Sequence, residues 1–215
     1  LMTSTKFTNY VSSITLALLS LCWSVFANAA GDPEAGKLQA MVCAGCHGLD
    51  GATPVLPEYP NLAGQNEKYL YNQLAMFQSG TRDVPLMTAQ LIGKSEQDLE
   101  DLAAFYASLP AKGGEATGTD EDLRRAQQIY KGGIMDKKVA ACAACHGPGG
   151  VGNAQAGFPR INGQSVGYTI EQLTKYREGH RKSDESFGGM MRGVAHGLTD
   201  GEIAILADYV RGLRP

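Results

Sequence analysis

Three observations predict an all-α fold assembled from two copies of one unit. The segment CAGCHG at residues 43–48 returns as CAACHG at 142–147, an offset of 99. Around both copies, apolar and polar residues recur at the spacing of a helix face. No alternating, β-branched run bounded by turn residues argues for a sheet.

Residues 1–29 stand apart from this pattern. Lys6 is followed by an uncharged, largely apolar run from Val11 to Phe26 and then by Ala27-Asn28-Ala29. A basic start, an apolar middle and a small-x-small end make an export signal, cut after Ala29. An uncleaved membrane anchor is the alternative, since Val11 to Ala30 has about the 20 residues of a span. Cys22 is not a lipid-attachment site, because Leu21 stands where a small residue is needed. Removal of 1–29 takes away Lys6 and no acid, so the formal charge moves from −3 to −4. Nothing in that balance suggests nucleic acid, which favours a basic chain. Four cysteines remain: Cys43, Cys46, Cys142 and Cys145.

The first unit, residues 30–110, opens with Asp32-Pro33-Glu34, an N-cap, a proline at the first helical position and an early acid. These predict a helix running into the first cysteine pair. Beyond the cysteines the offset of 99 persists: Pro60 matches Pro159, Gln65 matches Gln164, Tyr69 matches Tyr168, Gln73 matches Gln172 and Arg82 matches Arg181. Tyr69, Gln73, Leu74 and Phe77 share one helical face, as do Tyr168, Gln172, Leu173 and Tyr176. The register then changes to 104, so the second copy carries five extra residues before its last helix. That helix opens in each copy with a capping-box pattern, Ser95-x-x-Asp98 and Thr199-x-x-Glu202. Its expected buried stripes are Leu99, Leu102, Ala103, Tyr106 and Ile203, Leu206, Ala207, Val210. Residues 111–119, rich in Gly, Thr and charge, read as a linker, and 120–215 form the second unit. Each unit is small for a self-sufficient core and is expected to fold around a cofactor.

That cofactor is named by C-x-x-C-H, the attachment signature of a c-type haem. Thiols one helical turn apart can form thioethers to one porphyrin edge, and the adjacent His47 or His146 can then reach the iron. A zinc site would need well-spaced ligand pairs, and a histidine directly beside its cysteine is badly placed for the same tetrahedral ion. A thioredoxin-like pair would sit near a βαβ unit, for which there is no signal.

The sixth iron position separates a carrier from an enzyme. In the first copy His47 is the sole histidine, and Met87 lies in an expected loop before the last helix; Met76 falls on a helix and reads as packing. In the second copy Met190, Met191 and His196 compete. At the offset of 104, Met191 matches Met87, whereas His196 matches Ile92 and Met190 matches Leu86. Met191 is therefore favoured, with His196 and Met190 as the alternatives. A thioether trans to histidine raises the potential, and filling both positions leaves no place for peroxide or oxygen.

With both CxxCH units, YPNLAGQ and FPRINGQ after them, the Tyr-x-x-x-Gln-Leu helices and the two methionines before the last helices, the mature chain resembles the dihaem cytochrome c4 family. The resemblance implies two class I cytochrome c domains about a pseudo-twofold axis, haem propionate edges facing each other, and iron ligands His47 with Met87 and His146 with Met191. It also implies that the carbonyls of Pro60 and Pro159 accept the second ring N–H of each histidine. It further implies electron transport in the periplasm, with association to the inner membrane, between a quinol-oxidising complex or another donor and a terminal oxidase.

Residues 30–113 carry five basic and ten acidic side chains, and residues 114–215 carry thirteen and twelve. The molecule is expected to be dipolar, with a basic cluster at Lys175, Arg177, Arg181 and Lys182. Rival functions are a dihaem peroxidase or thiosulfate dehydrogenase, or a haem subunit docked to a dehydrogenase. The peroxidase needs an open sixth site, and in a cysteine-ligated dehydrogenase the ligand has no candidate, because all four mature cysteines belong to CxxCH units.

Overall fold

The computed structural model describes residues 31–215, so the expected export signal at 1–29 lies outside the described residues. The first copy forms α1 (Pro33–Gln39), α2 (Ala44–His47), α3 (Glu67–Gln78), α4 (Pro85–Gln90) and α5 (Glu96–Ser108). The second forms α6 (Asp120–Gly132), α7 (Ala143–His146), α8 (Val166–Arg177), α9 (Met190–Ala195) and α10 (Asp200–Gly212). Among the described residues β-pairing is confined to the isolated bridges Ile134–Val139 and Asn153–Phe158.

Local chemistry sets the helix starts. The Asp32 carboxylate accepts from Glu34 N at 2.9 Å, and Pro33 occupies the first turn of α1. Both capping boxes form: Ser95 and Asp98 satisfy each other's backbone N–H groups at α5, as do Thr199 and Glu202 at α10. All eight stripe residues are buried. In the first copy Leu102, Ala103 and Tyr106 pack with Leu70 and Ala40, while Leu99 packs with Phe77 and Leu91. In the second, Ile203, Leu206 and Val210 enclose Ile129 and Tyr130 of α6.

Three expectations need correction. Helix α1 stops at Gln39, and a turn rather than continuous helix carries the chain to Cys43. Met87 and Met191 do not lie in open loops; they occupy the first turn of the short helices α4 and α9. Val84 and Pro85 start α4, because a residue before proline avoids the helical region and proline itself suits the first helical position. The basic cluster is also dispersed: Lys175 pairs with Glu171, Arg177 with Asp200, and Arg181 is buried.

The chain from Pro110 to Thr119 is not helical, yet it is tied down. The Asp208 carboxylate of α10 accepts from Thr117 N and Gly118 N, each at 2.8 Å. Thr119 then caps α6 by accepting from Asp122 N. Earlier in the strap, residues 111 and 112 pass against the repeated Gly-Gln turns. Gly64 and Gly163 have φ of +67° and +70°, and a Cβ on either would strike Ala111 or Lys112. Only glycine serves both the left-handed backbone and the close approach.

The copies meet through reciprocal hydrogen bonds. Gln164 accepts from Asn61 N and donates to Asn61 O, at 2.8 and 3.0 Å; Gln65 does the same to Arg160 N and O, at 2.7 and 2.8 Å. Because Asn61 and Arg160 are repeat equivalents, the contact is self-complementary, as a twofold relation requires.

Candidate haem sites and the contact between them

Each CxxCH segment is one turn of helix. His47 N donates to Cys43 O at 3.0 Å, and His146 N donates to Cys142 O at the same distance. This turn brings both thiols and the following imidazole onto one local frame. None of the four cysteines is bridged. Burial pushes the Cys43 thiol up and the Cys142 thiol up to about 11. Redox-active CxxC pairs show the opposite shift, so a thioredoxin-like role finds no support in these thiols.

Both histidines are buried, and each ring is fixed by one bond. His47 Nδ1 lies 3.0 Å from Pro60 O, and His146 Nδ1 lies 2.9 Å from Pro159 O. A carbonyl only accepts, so Nδ1 carries the proton and Nε2 is left as the lone-pair donor. Burial lowers both imidazole pKa values, against the opposing pull of the proline carbonyls. The rings are thereby neutral and oriented, as metal-ligating imidazoles are.

The candidate sulfur ligands differ in surroundings. Met87 is half-buried against Phe77, Leu91 and Leu99, and its N–H donates to Val84 O at 2.9 Å. Met191 is half-buried on α9, whereas its neighbour Met190 is 48 % exposed. His196 is exposed at the C-terminal cap of α9, and Ile92, its equivalent, is 80 % exposed. Met76 stays on α3, its sulfur 4.0 Å from Gln73 Nε2.

A feature that sequence reasoning missed lies between the copies. Arg82 donates to Gln73 Oε1 of its own copy at 2.6 Å, and to Tyr168 OH and Gln172 Oε1 of the other at 3.1 and 2.9 Å. Arg181 repeats the pattern with Gln172 at 2.8 Å, Tyr69 at 3.2 Å and Gln73 at 2.9 Å. The guanidiniums also lie over the rings of Phe77 and Tyr176, each 4.6 Å from the centroid. The signal was present in the sequence: the same glutamine and arginine recur nine residues apart in both copies.

The residues suit haem. Each copy offers two thiols on one turn and an imidazole with Nε2 free. Among the described residues no group of three or more His, Cys, Asp or Glu side chains converges, so a tetrahedral zinc site lacks its donor set there. The two buried guanidiniums have neutral oxygen partners, and Arg181 Nε has none, which suits a cofactor carrying carboxylates.

An all-α tandem with two such sites defines a c-type cytochrome carrying two haem groups. Residues 34–110 and 123–214 match the family described as Cytochrome c. The cytochrome c4 of Stutzerimonas stutzeri is 42% identical over 205 residues, covering 91% of this chain and 96% of that protein. The crystal structure of reduced recombinant cytochrome c4 from Pseudomonas stutzeri superposes with a TM-score of 0.81 at 41% identity, covering 86% of this chain and 100% of that one. A thiosulfate dehydrogenase electron acceptor of Stutzerimonas stutzeri (strain A1501) is 34% identical over 171 residues, 79% of this chain and 78% of that protein. The chain belongs to the cytochrome c4 family, and it is a dihaem electron carrier.

Proposed function

We propose that the protein shuttles electrons in the periplasm between a respiratory donor, such as a quinol-oxidising complex or a dehydrogenase, and an acceptor such as a terminal oxidase. Haem iron supplies the ferrous–ferric couple when bound. Cys43 and Cys46, with Cys142 and Cys145, would hold the two groups covalently, and His47 with Met87 and His146 with Met191 would ligate the two irons. The carbonyls of Pro60 and Pro159 fix each imidazole and strengthen its donor nitrogen. The functional units are residues 30–110 and 120–215, joined by 111–119, behind an export signal at 1–29; inner-membrane association belongs to the same reading.

What supports it is that each copy holds a buried imidazole oriented by a proline carbonyl and, on a separate short helix, a half-buried methionine. A histidine and a methionine on each iron would leave no open coordination site for peroxide or oxygen, so the chemistry the haem would supply is electron exchange. The acidic first unit and near-neutral second unit suit different partners, with encounters steered by charge. The oxidised far-red spectrum tests the ligands. Two equivalents of the methionine–iron charge-transfer band are expected, and a high-spin haem in place of one would return the case to an enzyme. Steering predicts rates that fall with ionic strength; rates indifferent to salt with both donor and acceptor would remove it.

A second reading is favoured by the relatives named thiosulfate dehydrogenase electron acceptor. In this reading the donor is such a dehydrogenase. Rapid reduction of the oxidised protein by the dehydrogenase with thiosulfate, and none with thiosulfate alone, is the expected outcome.

A further inference from the structure

The five residues by which the second copy exceeds the first have a visible use. They lie in the segment between Arg181 and Met191, where Lys182–Phe187 forms a 3-10 turn. Asp184 in this turn is 5% exposed, and its side chain points at the start of α9. Oδ1 accepts from Met191 N at 3.2 Å, and Oδ2 accepts from Arg192 N at 2.8 Å. The backbone of Asp184 is held from both sides: its N–H donates to Arg181 O, and its carbonyl accepts from Gly189 N. Gly189, the residue at the cap position of α9, has no side chain with which to do this work.

The first copy solves the same problem without a charge. Pro85 begins α4, Val84 O accepts from both Met87 N and Thr88 N at 2.9 and 3.0 Å, and Thr88 Oγ1 donates to Phe77 O at 2.8 Å. Repeat equivalents Met87 and Met191 are thus held by different chemistry. A carboxylate accepting two backbone N–H groups makes charge-assisted bonds and fixes the helix that bears the sulfur.

We propose that Asp184 is a positioning residue for Met191 and makes the second haem electronically distinct from the first. The proposal rests on Met191 being an iron ligand. Asp184 also puts a buried negative charge beside that ligand, which favours ferric iron there and has no counterpart at Met87.

The test uses the intact holoprotein, with the far-red band and both reduction potentials as readouts. Asp184→Ala is expected to lose the band of one haem, about half the total absorbance, on milder heating than the parent and, below that temperature, to raise only that haem's potential, because the charge is gone while the sulfur still binds. Asp184→Asn retains one accepting oxygen and removes the charge; it should keep both bands and raise the second haem's potential. Ser186→Ala, an exposed change in the same turn, should do neither. Bands and potentials unchanged in Asp184→Ala, while Met191→Ala does lose one band, would overturn the positioning role alone. Both bands surviving in Met191→Ala would overturn the ligand reading and this proposal with it. If Asp184→Ala gives no holoprotein, Asp184→Asn decides: an unmoved second potential overturns the proposal.

Discussion

Arg82 and Arg181 cross at the boundary between the copies, each donating to its own glutamine and to the glutamine of the other copy, so that Gln73 Oε1 and Gln172 Oε1 each accept from both guanidiniums. Two buried cations share the same two acceptors. Removal of either strips one bond from both glutamines and one from a tyrosine. Arg82→Met should therefore destabilise the holoprotein by about 2–4 kcal/mol. Scanning calorimetry should show one transition in the parent and two in the variant as the copies uncouple. Burial alone would raise the Tyr168 phenol, but Arg82 and Arg181 together hold it below the usual tyrosine value. The same variant should move that phenol up, measured by ultraviolet titration.

The three candidates on α9 are separable by substitution. Met191→Ala is expected to abolish one of the two far-red bands, lower the potential of one haem and open its iron to added ligands. Met190→Ala and His196→Ala should leave bands and potentials as they are, since both side chains are exposed. The reverse result for the methionines would place the register one residue out.

Acid should weaken the second unit through Glu202. Burial opposes its ionisation, but Lys137 and the backbone and hydroxyl of Thr199 hold its carboxyl down to about 2. A carboxyl depressed in the folded state contributes above its unfolded value and loses that contribution as pH falls through the folded one. The loss should run from about 4.5 down to about 2. Glu202→Gln should flatten this limb of a stability–pH curve, and Thr199→Ala should cost about 1 kcal/mol at neutral pH.

The strap between the units should loosen when Asp208 is removed. Asp208→Ala deprives Thr117 N and Gly118 N of their acceptor and Arg211 of its ion-pair partner, leaving it Thr117 Oγ1. Limited proteolysis should then cut faster within residues 111–119, with haem spectra unchanged and stability lower by about 1–3 kcal/mol.

Much of this molecule could be read from the chain because the relevant signals are local. The capping boxes at Ser95 and Thr199, the two stripes beneath them and the cysteine turns depend on residues a few positions apart. The candidate ligands could be ranked from the chain because duplication supplied an internal comparison, setting Met191 against Met87 and His196 against Ile92. The dispersed basic cluster shows where such reading fails. Lys175, Arg177 and Arg181 are close in sequence, but one pairs along α8, one reaches Asp200 and one turns into the interface.

The sequence by itself determined the number of haem attachment sites, the identity of the histidine beside each and the helical architecture, all carried by fixed short spacings. Only the tertiary structure decided which face of α3 and α8 meets the other copy. Helical periodicity puts Tyr69, Gln73 and Phe77 on one side but does not say whether that side meets a core, a cofactor or its own repeat. It was also the tertiary structure that brought Asp184 to the N–H groups of Met191 and Arg192. Periodicity is a property of a few adjacent turns, whereas a buried guanidinium or carboxylate finds its partners only after separate segments have packed together.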